Sequence, residues 1–212
     1  MKKKSLVLAA ALAACAVSVA FATPQTSWDK GQFQVDLGGW NVKSDYGMSI
    51  YDINSNRKWN FAGGLTYGLS DTWALQYAYH GLNTDWTSPY NRENLSQDGK
   101  QHEVNLLYSA AKNVALFAGW SRINFSLYDS TQSFDKTNNI AQFGIIAKAP
   151  INDKFDLYAK GALGTKKTTM WEAGLGYTPA KDLDVNVGYR YVNTEWNSNS
   201  ESLKNIPSDI TL

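Results

Sequence analysis

From residue 33 onward the sequence repeats one motif: short stretches in which apolar and polar residues alternate. Phe33, Val35 and Leu37 alternate with Gln32, Gln34 and Asp36. Trp59, Phe61, Leu65, Tyr67 and Leu69 share one face of the next stretch, against Lys58, Asn60 and Thr66. The same rhythm returns over residues 73–80, 103–109, 155–163, 171–177 and 184–191. A period of two is the signature of β-strands with two unlike faces. Residues 140–149 fit it with Ala141, Phe143, Ile145 and Ala147 opposite Gln142 and Lys148. Residues 114–123 are apolar on both faces and leave their orientation open.

The connections are of two kinds, and they alternate. Tight turns fall at Ser70-Asp71-Thr72, Ala111-Lys112-Asn113, Ile151-Asn152-Asp153-Lys154 and Pro179-Ala180-Lys181-Asp182, where Asp, Asn and Pro favour reversal. Long polar connections fall near 43–56, 83–99, 126–138 and 193–207, with a short one at Gly164-Thr165-Lys166-Lys167. All short turns therefore lie at one end of the strands and all long loops at the other. Transmembrane barrels have this layout. The predicted fold is all-β, an antiparallel up-and-down transmembrane β-barrel.

Nine full strands are visible, and Ile206 to Leu212 resembles the start of a tenth. Even strand numbers are the rule. We therefore expect about ten strands, with the last cut short near Leu212, or eight if one hairpin is misread. Aromatic residues collect toward the two strand ends, as amphipathic rings do at lipid–water boundaries. Trp73, Tyr108 and Tyr177, with Tyr67 and Phe155, form the expected belt at the short-turn end. Trp59, Tyr79, Trp171 and Tyr189, with Trp40, Trp120 and Tyr191, form the other.

The N-terminus sets the compartment. Lys2, Lys3 and Lys4 precede an apolar run from Leu6 to Phe21, and Ala20-Phe21-Ala22 offers a signal-peptidase site. We expect a signal peptide at 1–22 and one barrel domain at 23–212. Two alternatives are an uncleaved anchor and lipidation at Cys15, whose Leu12-Ala13-Ala14-Cys15 setting resembles a lipobox. Cys15 is the only cysteine, so the mature chain holds itself together without disulfides. Removing the three lysines takes the formal charge from +1 to −2, which argues against nucleic-acid binding.

The segments Tyr67-Gly68-Leu69-Ser70-Asp71-Thr72-Trp73-Ala74-Leu75 and Leu183-Asp184-Val185-Asn186-Val187-Gly188-Tyr189-Arg190-Tyr191 resemble the hairpins and late strands of small bacterial outer-membrane barrels of the OmpA-like and Opa-like porin type. The resemblance implies an outer-membrane location and insertion by the barrel-assembly machinery. It also implies contact with outer-membrane lipid and lipopolysaccharide. External ligands or host surfaces would meet the loops.

Charge assigns the faces. A lysine or arginine facing lipid at the midplane costs about 2–4 kcal/mol. Lys58, Glu103, Lys160, Glu172, Asp184 and Arg190 all share a face with polar neighbours. They are expected to form an ion-paired network in the lumen, either as a filled interior or as the wall of a narrow pore.

The sequence shows no zinc spacing, phosphate loop or nucleophile motif, and no cofactor is expected. The two histidines, His80 and His102, are expected at the outer rim. His80 with Asp85 would be the starting point for a rim enzyme. The functional expectation is a non-enzymatic barrel, a narrow porin or a structural and surface-interaction protein. The alternatives are a protease or lipid-modifying enzyme at the rim and a soluble lipocalin-like carrier with its apolar face turned inward.

Overall fold

The computed structural model describes residues 23–47, 52–87, 94–128, 133–180, 183–195 and 209–211. The expected signal peptide at 1–22, with Cys15, and Leu212 lie outside the described residues.

Thirteen strand segments follow in order among the described residues. They are β1 (Phe33–Val42), β2 (Asp45–Gly47), β3 (Asp52–Asn56), β4 (Lys58–Gly68), β5 (Trp73–Gly81), β6 (Thr84–Thr87) and β7 (Asn94–Ala111). Then come β8 (Val114–Tyr128), β9 (Ser133–Asn152), β10 (Phe155–Gly164), β11 (Thr168–Ala180), β12 (Leu183–Glu195) and β13 (Asp209–Thr211). β1 with β2, β3 with β4, and β5 with β6 are each one strand interrupted near the loop end. The segments thus fill ten strand positions.

Every pairing is antiparallel, and neighbours in sequence are neighbours in the wall. β13 completes the circuit, pairing with β12 through Asn193–Glu195 and with β2 through Asp45 and Tyr46. Below it, toward the short turns, β1 pairs only with β4 and β12 only with β11 among the described residues. Closure is therefore confined to β13 at the loop end, and the rest of the described sheet is a curled, incompletely closed barrel; a full ring would satisfy every backbone group in hydrocarbon.

The period of two separates the faces. Phe33, Val35, Leu37, Phe61, Leu65, Leu75, Leu106, Leu116, Phe143, Ile145, Leu157, Leu163 and Val185 are exposed on the outside. Their inward neighbours Asn60, Thr66, Glu103, Asn105, Gln142, Tyr158, Lys160, Asn186 and Arg190 are buried. Between the aromatic rims the outward row of these strands carries no Asp, Glu, Lys or Arg among the described residues. From Phe155 to Leu163 a strand rises about 27 Å, or about 20 Å of bilayer at a tilt of about 40°.

The tight turns are fixed by side chains. Ser70 Oγ accepts from the backbone of Thr72 and Trp73 at 3.3 and 3.1 Å. Asn152 Oδ1 accepts from Lys154 and Phe155 at 2.9 and 3.0 Å. Residues 23–32 form an arm across this end. Lys30 N–H donates to Asp71 (3.1 Å), Thr26 Oγ1 to the Lys112 carbonyl (3.1 Å), and Gln25 to Asp184 (3.2 Å). Ser109 Oγ donates back to the Thr26 carbonyl at 2.8 Å. Thr23, Thr26 and Trp28 are buried. The arm crosses close to Gly68, where a Cβ would meet the Asp29 backbone carbonyl.

Residues 114–123 resolve as Ala115, Phe117, Ser121 and Ile123 inward, with Leu116 and Trp120 outward. The lumen is therefore partly apolar, which a purely polar interior does not anticipate. Trp40 is a correction to the outer belt. It lies on the parity of Gln34 and Asp36, points inward and is 4 % exposed.

If the outward row faces lipid, Ala159→Arg, midway along β10, should destabilise the barrel by about 2–4 kcal/mol. Urea unfolding in liposomes measures this. An unchanged midpoint would contradict the assignment of faces.

Candidate functional site

The lumen gathers side chains from strands on opposite sides of the ring. Glu103, from β7, is fully buried. It faces Arg190 from β12 and Lys160 from β10 across the interior. Arg190 Nη2 donates to Glu103 Oε1 at 2.5 Å and to Gln101 Oε1 at 3.2 Å. Lys160 Nζ donates to Glu103 Oε2 at 3.5 Å. Gln142 and Asn105 donate to the same oxygen at 3.3 and 3.5 Å. Both carboxylate oxygens are thus satisfied, as a buried charge requires.

Aromatic rings support the cations. Lys160 Nζ lies 5.1 Å from the Phe117 centroid, and the Arg190 guanidinium lies 5.8 Å from the Trp40 ring. His80 Nε2 bonds Arg190 Nη1, and its ring meets Trp40 edge-on at 5.6 Å. Cation–π contacts gain strength when water is excluded.

Further levels fill toward the short turns. Tyr158 OH donates to Glu172 at 3.1 Å and lies 3.4 Å from Asn186 Oδ1. Lys148 pairs with Asp156 at 3.3 Å. Asp184 accepts from Thr178 at 2.5 Å and from Gln25 of the arm at 3.2 Å. Toward the loops lie Met170, Val192, Ile140, Ile123, Val42 and Leu82, all buried. Asn138, Thr168 and Thr194 bond one another above them. The cavity left beside the charge cluster measures about 70 Å³ and is lined by Asp36, Trp40, Gln76, His80, Tyr158 and Glu172, among others. That holds a few waters and falls well short of the roughly 300 Å³ of a small-molecule site.

Of the six charges read as a luminal network, the structure brings Glu103, Lys160 and Arg190 into direct contact. Glu172 lies between Lys160 and Arg190 in strand register, but its carboxylate bonds Tyr158. Asp184 sits lower, beside the arm. Lys58 is a correction. It stands at the loop end of β4, about half exposed, and pairs with Asp85 at 3.1 Å. Parity alone cannot show that this position lies above the filled lumen.

One of the two histidines differs from expectation as well. His80 is no rim residue: it is inside the barrel on Arg190. Asp85 is engaged by Lys58, so a His80–Asp85 pair does not form. His102 points outward, with Nδ1 2.8 Å from Tyr77 OH. Sequence reasoning also passed over Gln101, Gln142 and Phe117 as members of the cluster and set Trp40 in the outer belt. Gln101, Gln142 and Trp40 have inward parity in their strands, the one signal that could have found them.

The aromatic positions lie on the outer surface in pairs. Trp73 and Tyr108 are 4.9 Å apart, and Phe155 and Tyr177 are 4.8 Å apart, at the short-turn end. Trp171 packs with Tyr189 at 5.2 Å, and Tyr79 with Phe61 at 6.2 Å, toward the loops. Trp59 is exposed in the same row as Phe61.

Glu103→Gln should leave Arg190 and Lys160 buried without their shared counterion. We expect a loss of about 3–5 kcal/mol, read from denaturant unfolding in micelles. A midpoint unchanged from the parent would contradict this account of the cluster.

The profile of the family described as "Outer membrane protein beta-barrel domain" matches residues 7–206. No curated protein matches the sequence. Among solved structures, the chain is similar to Ail, the attachment invasion locus protein of Yersinia pestis. Identity there is 14 %, coverage is 76 % of this chain and 99 % of that one, and the TM-score is 0.38. It is also similar to the outer membrane protein OprG from Pseudomonas aeruginosa, at 10 % identity, 89 % and 95 % coverage and a TM-score of 0.39. The profile spans nearly the whole sequence, and the antiparallel strands curl into a barrel wall of the kind such a domain has. The chain belongs to the outer-membrane protein β-barrel domain family and is a protein of the bacterial outer membrane.

Proposed function

We propose that this barrel is non-enzymatic and closed to solutes, and that it serves as a structural and surface-interaction protein. The observation that carries this reading is the filled lumen. The Glu103–Arg190–Lys160 cluster joins opposite walls at one level. An apolar layer lies above it, and the 23–32 arm lies below. Small barrels have interiors that side chains can fill, and three filled levels stacked along the axis support a lumen without a solute path.

The surface role is supported by strand length. β7, β8 and β9 run for 18, 15 and 20 residues, against 10 for β10. Since β10 already spans the apolar band, the excess projects on the loop side. Its outward residues there turn polar: Asp98, Lys100, Arg122, Asn124, Ser126, Asp135 and Asn139. A raised polar wall on a rigid ring is a suitable platform for contact with other molecules. Its partners are identified by their chemistry and not by the fold.

Planar-bilayer recording tests the closed lumen. The parent protein should give no steady open-channel steps. Glu103→Ala combined with Arg190→Ala removes the clamp but leaves the apolar layer and the arm, and should give at most brief, unsteady openings. Stable steps from the parent protein would overturn the proposal in favour of a porin.

A further inference from the structure

The short-turn half of the lumen is poor in positive charge. Asp36, Asp156, Glu172 and Asp184 all have inward parity. Among the described residues, Lys148 is the lysine or arginine within ion-pair distance of any of these four, and it meets Asp156 Oδ2 at 3.3 Å. Arg190 and Lys160 are committed to Glu103. Asp36 is met by Gln34, Glu172 by Tyr158, and Asp184 by Thr178 and Gln25, all of them uncharged. The other oxygen of Asp156, Oδ1, is buried and has no hydrogen-bond partner among the described residues. A buried carboxylate oxygen without a donor is costly.

The arm begins beside that oxygen. Thr23 is fully buried, and its Oγ1 also lacks a partner among the described residues. Asp156 stands opposite Gly176 in the pairing of β10 with β11. A Cβ on Gly176 would collide with both Thr23 Oγ1 and Asp156 Oδ1, so the two oxygens crowd one point. The missing Cβ makes room for the first residue of the arm. The α-nitrogen of a threonine lies about 3 Å from its own Oγ1, which brings the Thr23 nitrogen into the surroundings of Asp156. Pro24 lines the cavity together with Asp36 and Glu172. A following proline restricts Thr23 to extended conformations. Gln25, Thr26 and Lys30 then fasten the arm to Asp184, Lys112 and Asp71.

We propose that the α-ammonium of Thr23, created by cleavage after Ala22, docks inside the barrel as the counterion of Asp156. The inference rests on the cleavage site expected from the sequence. In the uncleaved chain this nitrogen is a neutral amide. Hydrolysis adds water across the Ala22–Thr23 bond, leaving a carboxylate on Ala22 and an amine on Thr23. An α-amine is mostly protonated near neutral pH. One positive charge thus appears beside an unpartnered carboxylate oxygen, with three more carboxylates along the same half of the lumen. Processing thereby completes the plug. The arm is held by hydrogen bonds before cleavage and by a buried ion pair as well after it.

The test expresses the full sequence and purifies the barrel from outer membranes into micelles, so that the cell does the processing. Mass spectrometry should find an N-terminal peptide that starts at Thr23. The folded and the urea-unfolded protein are then treated with N-hydroxysuccinimidyl acetate near neutral pH. Lys166, exposed at the β10–β11 turn, serves as the internal reference. A site that must open before it reacts is slowed by its opening equilibrium, so the Thr23 amine should react at least about tenfold more slowly in the folded protein. Asp156→Asn should remove most of this protection. Gly176→Ala keeps the carboxylate but crowds the pocket, and should remove it too. Asp71→Ala, which loosens the exposed end of the arm, should leave it. Heat-modifiable gel mobility verifies that each variant is folded. A mature chain that starts elsewhere would overturn the proposal. So would equal labelling of the folded and unfolded parent, or protection that survives in Asp156→Asn.

Discussion

A hydrocarbon layer offers backbone amides nothing to bond with, and each one left unpaired costs several kcal/mol. This constraint forces the strands into a ring and then makes every side chain choose between lipid and lumen. The choice alternates residue by residue because successive Cβ atoms leave a strand on opposite sides. Among the described residues the outward row between the rims carries no Asp, Glu, Lys or Arg, and the inward row holds Glu103, Lys160, Glu172, Asp184 and Arg190. A shift of one residue in any strand would exchange the two rows. Register and bilayer therefore enforce each other.

The enclosed charges create a second constraint. Glu103 is fully buried and is bonded on both oxygens. Arg190 and Lys160 reach it from β12 and β10, far from β7 around the ring. Such a cluster adds little net stability over a well-packed apolar interior. It does demand that the three strands keep one mutual register, since a broken pair leaves an uncompensated charge. The clamp and the apolar layer of Met170, Val192 and Ile140 together explain why the interior is occupied instead of open. The arm closes the same interior from the short-turn side through Thr26, Gln25 and Lys30.

Much of this architecture was legible in the sequence because the bilayer writes its rule at every second position. The alternation in β4, β5, β10 and β12 fixed both their existence and their faces. Residues 114–123 were not legible, because Leu116 and Trp120 face lipid while Phe117 and Ile123 fill the lumen, and both environments select apolar side chains. Trp40 was misassigned by residue type, since tryptophan is common at rims, although its parity with Asp36 placed it inside. His80 had the inward parity of Gln76 and was misplaced in height, near the strand end, where the structure buries it on Arg190. Lys58 had the right parity but the wrong height: a period of two gives the side of the wall and not the distance along the axis. Contacts across the lumen, such as Arg190 with Glu103 and Gln101, join residues 87 and 89 positions apart and leave no local signal.

The central claim is that odd and even positions of a strand meet different solvents. Cys15 is the only cysteine in the sequence and lies in the predicted signal segment, so single nitroxide-labelled cysteines can be placed from residue 155 to residue 163 of β10 in liposomes. Their collision rates with oxygen and with a polar nickel chelate report the environment at each site. The account predicts strict alternation, with oxygen dominant at 157, 159, 161 and 163 and low access to either reagent at 158, 160 and 162. A flat profile, or nickel access at 157 and 159 equal to that of the loops, would contradict it.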